Sequence, residues 1–351
     1  MQKTNDNAIK LDSTIPSYNM LWKAIIRPNR TLYTLSDLGN PYIKFRGKFY
    51  TRKDFELLNS EGHILKCSFV EPNKESRPSK IMPVVIYLHG NSSSRMEGLG
   101  MLPVVLRHNI NLFCFDFAGS GLSEGEYISL GYKEKEDVKV IIDHLEKQAG
   151  VGKIGLWGRS MGAATTMLYA CTDPRVSAIC MDSPFAEFRR LAKEMCLNVI
   201  KIPDFLLEGA INLVKSTVKK KNGLDIDKLR PIDCAAKTTI PGIFIHAEAD
   251  ELISYVHTFE LSEAYMGDKT VKYCNGFHNS PRPKKILDEV GKFFAKNMIE
   301  GYKIEIEPNI FDEIDDENEK KEETNENESN YNQNKNGDSS ENFTRTGFES
   351  L

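Results

Sequence analysis

What the chain lacks narrows it first. Its 351 residues contain no run of 18 or more apolar residues, so no transmembrane helix is expected. The opening residues, Met1-Gln2-Lys3-Thr4-Asn5-Asp6, form no apolar signal region, and Gln2 stands where N-myristoylation needs a glycine. The seven cysteines, at 67, 114, 171, 180, 196, 234 and 274, make no C-x-x-C pair, and most sit inside apolar runs. They read as reduced core residues of a cytoplasmic protein, not as a disulfide framework or a metal site. A P-loop, zinc-ligand spacing, paired metal carboxylates and internal repeats are all missing. No metal, cofactor or nucleic-acid partner is therefore expected.

Charge is present but unevenly placed. Residues 305–351 hold 15 acidic and 4 basic residues, residues 1–53 hold 10 basic and 3 acidic, and the net charge of −4 leaves the middle near neutral. From about Phe311 the chain is rich in Asn, Glu and Ser and poor in aliphatic residues. Such a composition buries too little apolar surface to offset its ordering entropy, so disorder is expected there. The expected division is a basic extension over 1–53, a folded domain over 54–303 and an acidic disordered tail over 304–351.

The middle alternates short apolar runs with helical patterns, the sign of a mostly parallel sheet with helices on both faces. Residues 55–58 and 64–70, joined by Asn59-Ser60-Glu61-Gly62, read as an antiparallel hairpin. Further strands are expected at 84–88, 112–117, 153–157, 176–181, 243–246 and 271–273, which gives an eight-stranded α/β fold. Helices are expected at 99–107, 133–147, 163–170, 254–265 and 284–296. Residues 184–221 read as helical, with a break near Ile202-Pro203-Asp204.

Chemistry concentrates at Gly158-Arg159-Ser160-Met161-Gly162, a G-x-S-x-G between an apolar strand and a helix. In that context the motif is a nucleophile elbow. The turn leaves no room for side chains two residues either side of the serine, and the helix N-terminus behind it favours developing negative charge. An activated serine needs a base, and the base needs an acid to orient it. Asp250 follows the strand at 243–246, and His278 follows the strand at 271–273 with Gly276 letting the loop turn. Both lie at strand C-terminal ends, where open α/β sheets form their crevice.

Glu248 is the other candidate acid but lies nearer the strand. His246, inside a strand, reads as a core residue, and His257, on a helix, as partly exposed; His63, His108 and His144 have no comparable placement. The two backbone N–H groups of an oxyanion hole are expected from Met161 and from Asn91 in the loop His89-Gly90-Asn91-Ser92-Ser93-Ser94. The same polar run also suits the N-cap of the next helix. Asp116-Phe117-Ala118-Gly119-Ser120-Gly121 opens a glycine-rich stretch, but its next glycine is Gly125, off the spacing of G-x-G-x-x-G. It reads as a tight loop flanking the site.

With these residues in place the chain resembles the α/β-hydrolase superfamily over roughly residues 50–300. The marks are His89-Gly90-Asn91, Asp116-x-x-Gly119-x-Gly121-x-Ser123, Gly158-x-Ser160-x-Gly162, Asp250 and Gly276-x-His278-Asn279. Within it the chain looks most like the serine aminopeptidase-like branch, which also holds the α/β-hydrolase-domain depalmitoylases. Asp182-Ser183-Pro184-Phe185, Leu229-Arg230-Pro231-Ile232 and His278-Asn279-Ser280-Pro281-Arg282-Pro283 add to that likeness. The resemblance implies a serine hydrolase acting on an ester, thioester or amide through an acyl-enzyme on Ser160. It leaves the substrate open, because one fold serves many reactions. One departure stands out: those depalmitoylases have a cysteine-rich, lipidated N-terminus, and here no cysteine precedes Cys67.

Two segments keep alternative readings. Residues 184–232 are the expected short helical lid, in which Phe205, Leu206, Ala210, Ile211, Leu213 and Val214 fall at helical spacing. That face suits either ordinary core or the roof of an acyl pocket; Lys215, Lys219, Lys220 and Lys221 suit a solvated helix end or phosphate head groups. In the head, Leu21, Trp22 and Ile25 beside Lys23 and Arg27 either pack on the domain or lie at a membrane surface. The expected partner is a small acyl substrate, with lipid and acylated protein both open. An esterase or thioesterase leads. The alternatives are a peptidase, with Glu187, Glu194 and Glu208 near the lid, and a hydrolase fold used only for binding.

Overall fold

The computed structural model describes residues 18–198 and 204–302. The expected acidic tail, the start of the basic head and most of the Ile202-Pro203-Asp204 break lie outside the described residues. The described residues begin with helix α1 (Tyr18–Ile26), then strands β1 (Tyr42–Phe45), β2 (Lys48–Leu58), β3 (Ile64–Pro72) and β4 (Met82–Leu88). Helices α2 (Arg95–Leu99) and α3 (Leu102–Leu106) lead to β5 (Asn111–Phe115), α4 (Glu134–Glu146), β6 (Val151–Arg159), α5 (Met161–Ala170) and β7 (Val176–Asp182). Next come α6 (Phe188–Asn198), α7 (Asp204–Asn222) and α8 (Pro231–Ala235). The last elements are β8 (Gly242–Ala247), α9 (Tyr255–Ala264), β9 (Lys269–Cys274) and α10 (Lys284–Met298).

The strands form one sheet in the order β1-β2-β3-β5-β4-β6-β7-β8-β9. From β5 to β9 every pairing is parallel; β1, β2 and β3 are antiparallel to their neighbours. This is the expected α/β-hydrolase architecture with nine strands rather than eight. The extra strand is β1, whose composition is unremarkable because only one face is partly covered. Its signal was the turn: Arg46 (φ 49°) and Gly47 (φ 73°) both sit in the left-handed region, as a two-residue hairpin turn requires. The sheet thus starts at Tyr42, and β2 runs through the boundary expected at residue 53.

Parallel strands covered on both faces read as continuous apolar runs, as Met82–Leu88 does. Along β4, Val84, Ile86 and Leu88 enter the core on one face, and Val85 and Tyr87 enter the core on the other. The second face packs against α3 and α10, where Trp157 lies over Phe294 with ring centroids 6.1 Å apart. The first packs against α4 and α5 and continues into α6, α7 and α1. The helix expected at 99–107 is two short ones, broken at Gly100 and Met101. None of the described helices is long and apolar enough to cross a membrane.

Candidate functional site

Ser160 sits between the end of β6 and the start of α5, with φ 52° and ψ −114°. A non-glycine residue in that region carries strain of order 1–3 kcal/mol, sustained only where the surroundings dictate it. Here the surroundings do. A Cβ on Gly162 would lie 1.9 Å from the Leu88 carbonyl oxygen, and one on Gly158 would lie 2.1 Å from that of Gly162. The Ser160 amide donates to the Asp182 carbonyl at 2.8 Å, tying the turn to the next strand.

The structure brings Ser160, His278 and Asp250 into one hydrogen-bonded row. His278 Nε2 lies 3.1 Å from Ser160 Oγ, and His278 Nδ1 lies 2.6 Å from Asp250 Oδ2. With Nδ1–H donating to the carboxylate, the Nε2 lone pair faces the serine hydroxyl, the tautomer needed to accept its proton. Asp250 Oδ1 accepts the amides of Leu252 (3.0 Å) and Ile253 (2.8 Å). Burial alone would raise this carboxyl, but hydrogen bonds from His246 and His278 hold it well below the usual carboxylate range.

Two other sequence candidates are placed differently. Glu248 is exposed and shares no hydrogen bond with His278 among the described residues. His246 is buried, as expected of a strand residue, but it is also part of the row. Its Nε2 donates to Ile253 O (2.8 Å) and lies 3.2 Å from Asp250 Oδ2, while Nδ1 accepts from Thr258 Oγ1 at 2.7 Å. His257 was expected to be partly exposed and is fully buried. It accepts from the Ala186 amide (3.2 Å) and meets Glu194 Oε2 at 2.8 Å, because α9 packs beneath α6.

Asn91 and Met161 line one cavity with Ser160. Among the described residues neither amide donates to a protein acceptor. The side-chain Oδ1 of Asn91 is buried without a partner there. The loop carrying Asn91 is held from behind by residues that no motif announced. Glu97 Oε2 accepts the Gly90 amide at 3.0 Å, and Glu97 Oε1 meets Arg159 Nη1 at 3.0 Å. Arg159 Nη2 in turn donates to the His278 carbonyl at 2.7 Å. Burial would raise the Glu97 carboxyl; the Arg159 guanidinium and the Gly90 amide hold it below its ordinary value. One Glu–Arg pair therefore fixes both the Asn91 loop and the His278 loop. Arg159 stands inside the motif, at a position where the motif itself asks for nothing.

A second cation braces the same loop. Arg282 Nε donates to both Asp182 oxygens at 2.9 Å, and its Nη groups reach Ser183 Oγ, Phe277 O, Ser280 O and His278 O. Two motif fragments a hundred residues apart in sequence thus meet as a buried ion pair. The Gly119–Gly121 loop is indeed a tight turn: a Cβ on Gly121 (φ +46°) would lie 2.4 Å from Asp116 Cγ. Asp116 accepts the amides of Arg95 (2.7 Å) and Leu122 (2.9 Å), so the carboxylate holds the turn rather than facing the cavity.

The cavity measures about 580 Å³ and opens beside Ser160 and His278. Phe188, Leu191 and Met195 of α6, and Ile211 and Val214 of α7, form much of its wall. Of the six residues expected on one apolar face, Ile211 and Val214 are in the core and also line the cavity, and Ala210 lines it; Leu207 and Val218, outside that expectation, join the core. Phe205, Leu206 and Leu213, expected on the same face, are exposed instead, because α7 turns them away from the core. The charged lining residues are Glu97 and Arg159, which are tied to the Asn91 and His278 loops beside the serine.

Comparison with known proteins points to the same fold. Residues 79–225 match the family described as serine aminopeptidase, S33. The chain is 28% identical to the Bacillus subtilis protein YqkD over 229 residues, 64% of this chain and 72% of that one. It is 26% identical to a lysophosphatidylserine lipase of Xenopus tropicalis over 181 residues, 49% of this chain and 44% of the lipase. Among solved structures, an esterase of Pyrococcus furiosus superposes with a TM-score of 0.60 at 20% identity, covering 78% of this chain and 98% of the esterase. An acetyl xylan esterase from Thermoanaerobacterium gives 0.56 at 14% identity, covering 80% and 94%. The chain is thus an α/β-hydrolase-fold protein that carries, across residues 79–225, the sequence pattern of the S33 serine aminopeptidase family.

Proposed function

We propose that this protein is a serine hydrolase that cleaves an acyl ester or thioester through an acyl-enzyme on Ser160. The observation that carries the reading is the row Asp250–His278–Ser160 opening onto an apolar cavity. Ser160 Oγ attacks the acyl carbonyl carbon as its proton passes to His278 Nε2. Asp250 holds the imidazole tautomer and stabilises its cation, and the Asn91 and Met161 amides bind the oxyanion. His278 then gives the proton to the leaving alkoxide or thiolate. Water, deprotonated by His278, attacks the acyl carbonyl, and as the Ser160 ester bond breaks His278 returns that proton to Ser160 Oγ, releasing the carboxylic acid.

A peptidase reading asks for free acidic groups to hold a substrate ammonium. The candidates near the lid are already engaged: Glu187 with Arg230 (2.8 Å), Glu194 with Arg190 (2.8 Å) and Glu208 with Arg189 (2.9 Å). An ester or thioester needs no such group. The similarity to a lipase and to esterases supports the same choice. The test is fluorophosphonate labelling of the purified chain beside Ser160→Ala, followed by acyl esters and thioesters of increasing length. Labelling that survives in Ser160→Ala, or folded wild type that never labels, defeats the proposal.

A further inference from the structure

Helix α1 lies outside the matched family region, yet it forms part of the cavity wall. Its residues divide into two stripes at helical spacing. Trp22 and Ile26, four apart, are buried in the core; Leu21 and Ile25, also four apart, are half-buried and line the cavity that Ser160 and His278 line. The first stripe anchors the helix and the second faces the void.

The anchoring is specific. The Lys221 ammonium of α7 lies 4.5 Å from the Trp22 ring centre, and the Ile26 carbonyl accepts the Ile128 amide at 2.8 Å. Just beyond α1, Arg30 donates to the Ser123 carbonyl at 2.7 Å and to the Gly125 carbonyl, and Thr31 Oγ1 donates to the Ser92 carbonyl in the Asn91 loop. The helix is thereby held against α7 and, through the strap that follows it, against the loop beside the serine. The lining residues other than Glu97, Arg159 and His278 carry no charge. Away from those three the wall is mostly apolar, which favours burial of an alkyl chain.

We propose that Leu21 and Ile25 of α1 are specificity-determining residues that set the length of acyl chain this site accepts, and that its substrate class is a long, uncharged acyl chain. The inference rests on the hydrolase reading for its substrate but not for its wall, so the test has two arms. In the first, turnover of acetyl, butyryl, octanoyl and palmitoyl p-nitrophenyl esters is compared in wild type, Leu21→Trp, Ile25→Trp and Lys23→Trp. Wild type should favour the longer esters. Leu21→Trp and Ile25→Trp should lose about tenfold or more in kcat/KM for palmitoyl, mainly through KM, with acetyl turnover and fluorophosphonate labelling kept. Lys23→Trp, on the exposed side of the same helix, should match wild type.

The second arm reads binding without chemistry, as fluorescence of cis-parinaric acid added to Ser160→Ala alone and with Leu21→Trp or the smaller Leu21→Ala. Parinarate bound by the parent and weakened about tenfold by Leu21→Trp, but not by Leu21→Ala, supports the inference even if no ester is cleaved; then only the hydrolase reading falls. Parinarate that does not bind, or binds equally to Ser160→Ala and the Leu21→Trp double variant, overturns it. So does a chain-length profile unmoved by both tryptophans while labelling is intact.

Discussion

The strand-end rim and the helical cap are built from different interactions. At the rim, Asp250, His278, Arg282, Glu97 and Arg159 are tied by hydrogen bonds in which nearly every polar atom has a named partner, and the pairs are largely or wholly buried. In the cap, Arg189 meets Glu208 and Asp227, Lys193 meets Glu208, and Lys215 meets Asp227, with most of these side chains about a quarter to a half exposed. A buried network specifies one arrangement, because breaking a pair strands a charge. Exposed pairs contribute little and tolerate exchange. The protein places the first kind where atoms must meet within tenths of an ångström, and the second where a wall only has to be apolar and the right size.

Substitutions separate the two regimes. The largest effect is expected at the serine: Ser160→Ala should lower turnover by roughly four to six orders of magnitude while the Tm stays near wild type. Asp250→Asn should follow, with a fall of roughly 10³–10⁴ in kcat from loss of the working tautomer, seen in single-turnover kinetics.

Glu97→Gln and Arg159→Met test whether positioning at the rim reaches through two residues. Each should lower kcat by about 10- to 100-fold with KM little changed, since a displaced loop costs rate more than binding. Glu97 also gives the rim a pH signature. Its folded pKa lies below its ordinary value, so its contribution to stability is present above about pH 4.3 and is lost as pH falls further. Urea midpoints at pH 7 and pH 3.5 should show the gap between wild type and Glu97→Gln narrowing in acid; a constant gap would mean that the charge contributes nothing.

The smallest effect belongs to the cap. Arg189→Ala should cost under about 1 kcal/mol in urea unfolding and leave kcat unchanged, and the loss should shrink in high salt. An effect of 3 kcal/mol there would erase the contrast with the rim.

Legibility in the sequence follows the same divide. Ser160, Asp250 and His278 were readable because each occupies a fixed place relative to a strand end, and strands announce themselves by apolar runs. Glycines 158 and 162 were readable because backbone crowding admits nothing else. The Glu97–Arg159 pair was not, since a charge seven residues beyond Gly90 has no local reason to face one inside the elbow; only the sheet order brings them together. His257 misled because helix residues are exposed on average, and its burial depends on α6 crossing above it. Strand β1 escaped because its sequence alternates weakly and its defining feature is the Arg46-Gly47 turn. The two stripes of α1 were legible as apolar residues, but which stripe met the core and which a cavity depended on a helix almost two hundred residues away.

The order β3-β5-β4 carries a practical consequence. Recombinant fragments are commonly cut to the limits of a recognised family, and here that limit falls at residue 79. Such a fragment would lack β3, and the edge of β5 over residues 112–115, otherwise paired with residues 67–70, would lie bare with its N–H and C=O groups unmet. An apolar strand with an open edge recruits other strands. The shortened protein would be expected to come out of solution, and its insolubility would be mistaken for a property of the whole chain rather than of the cut.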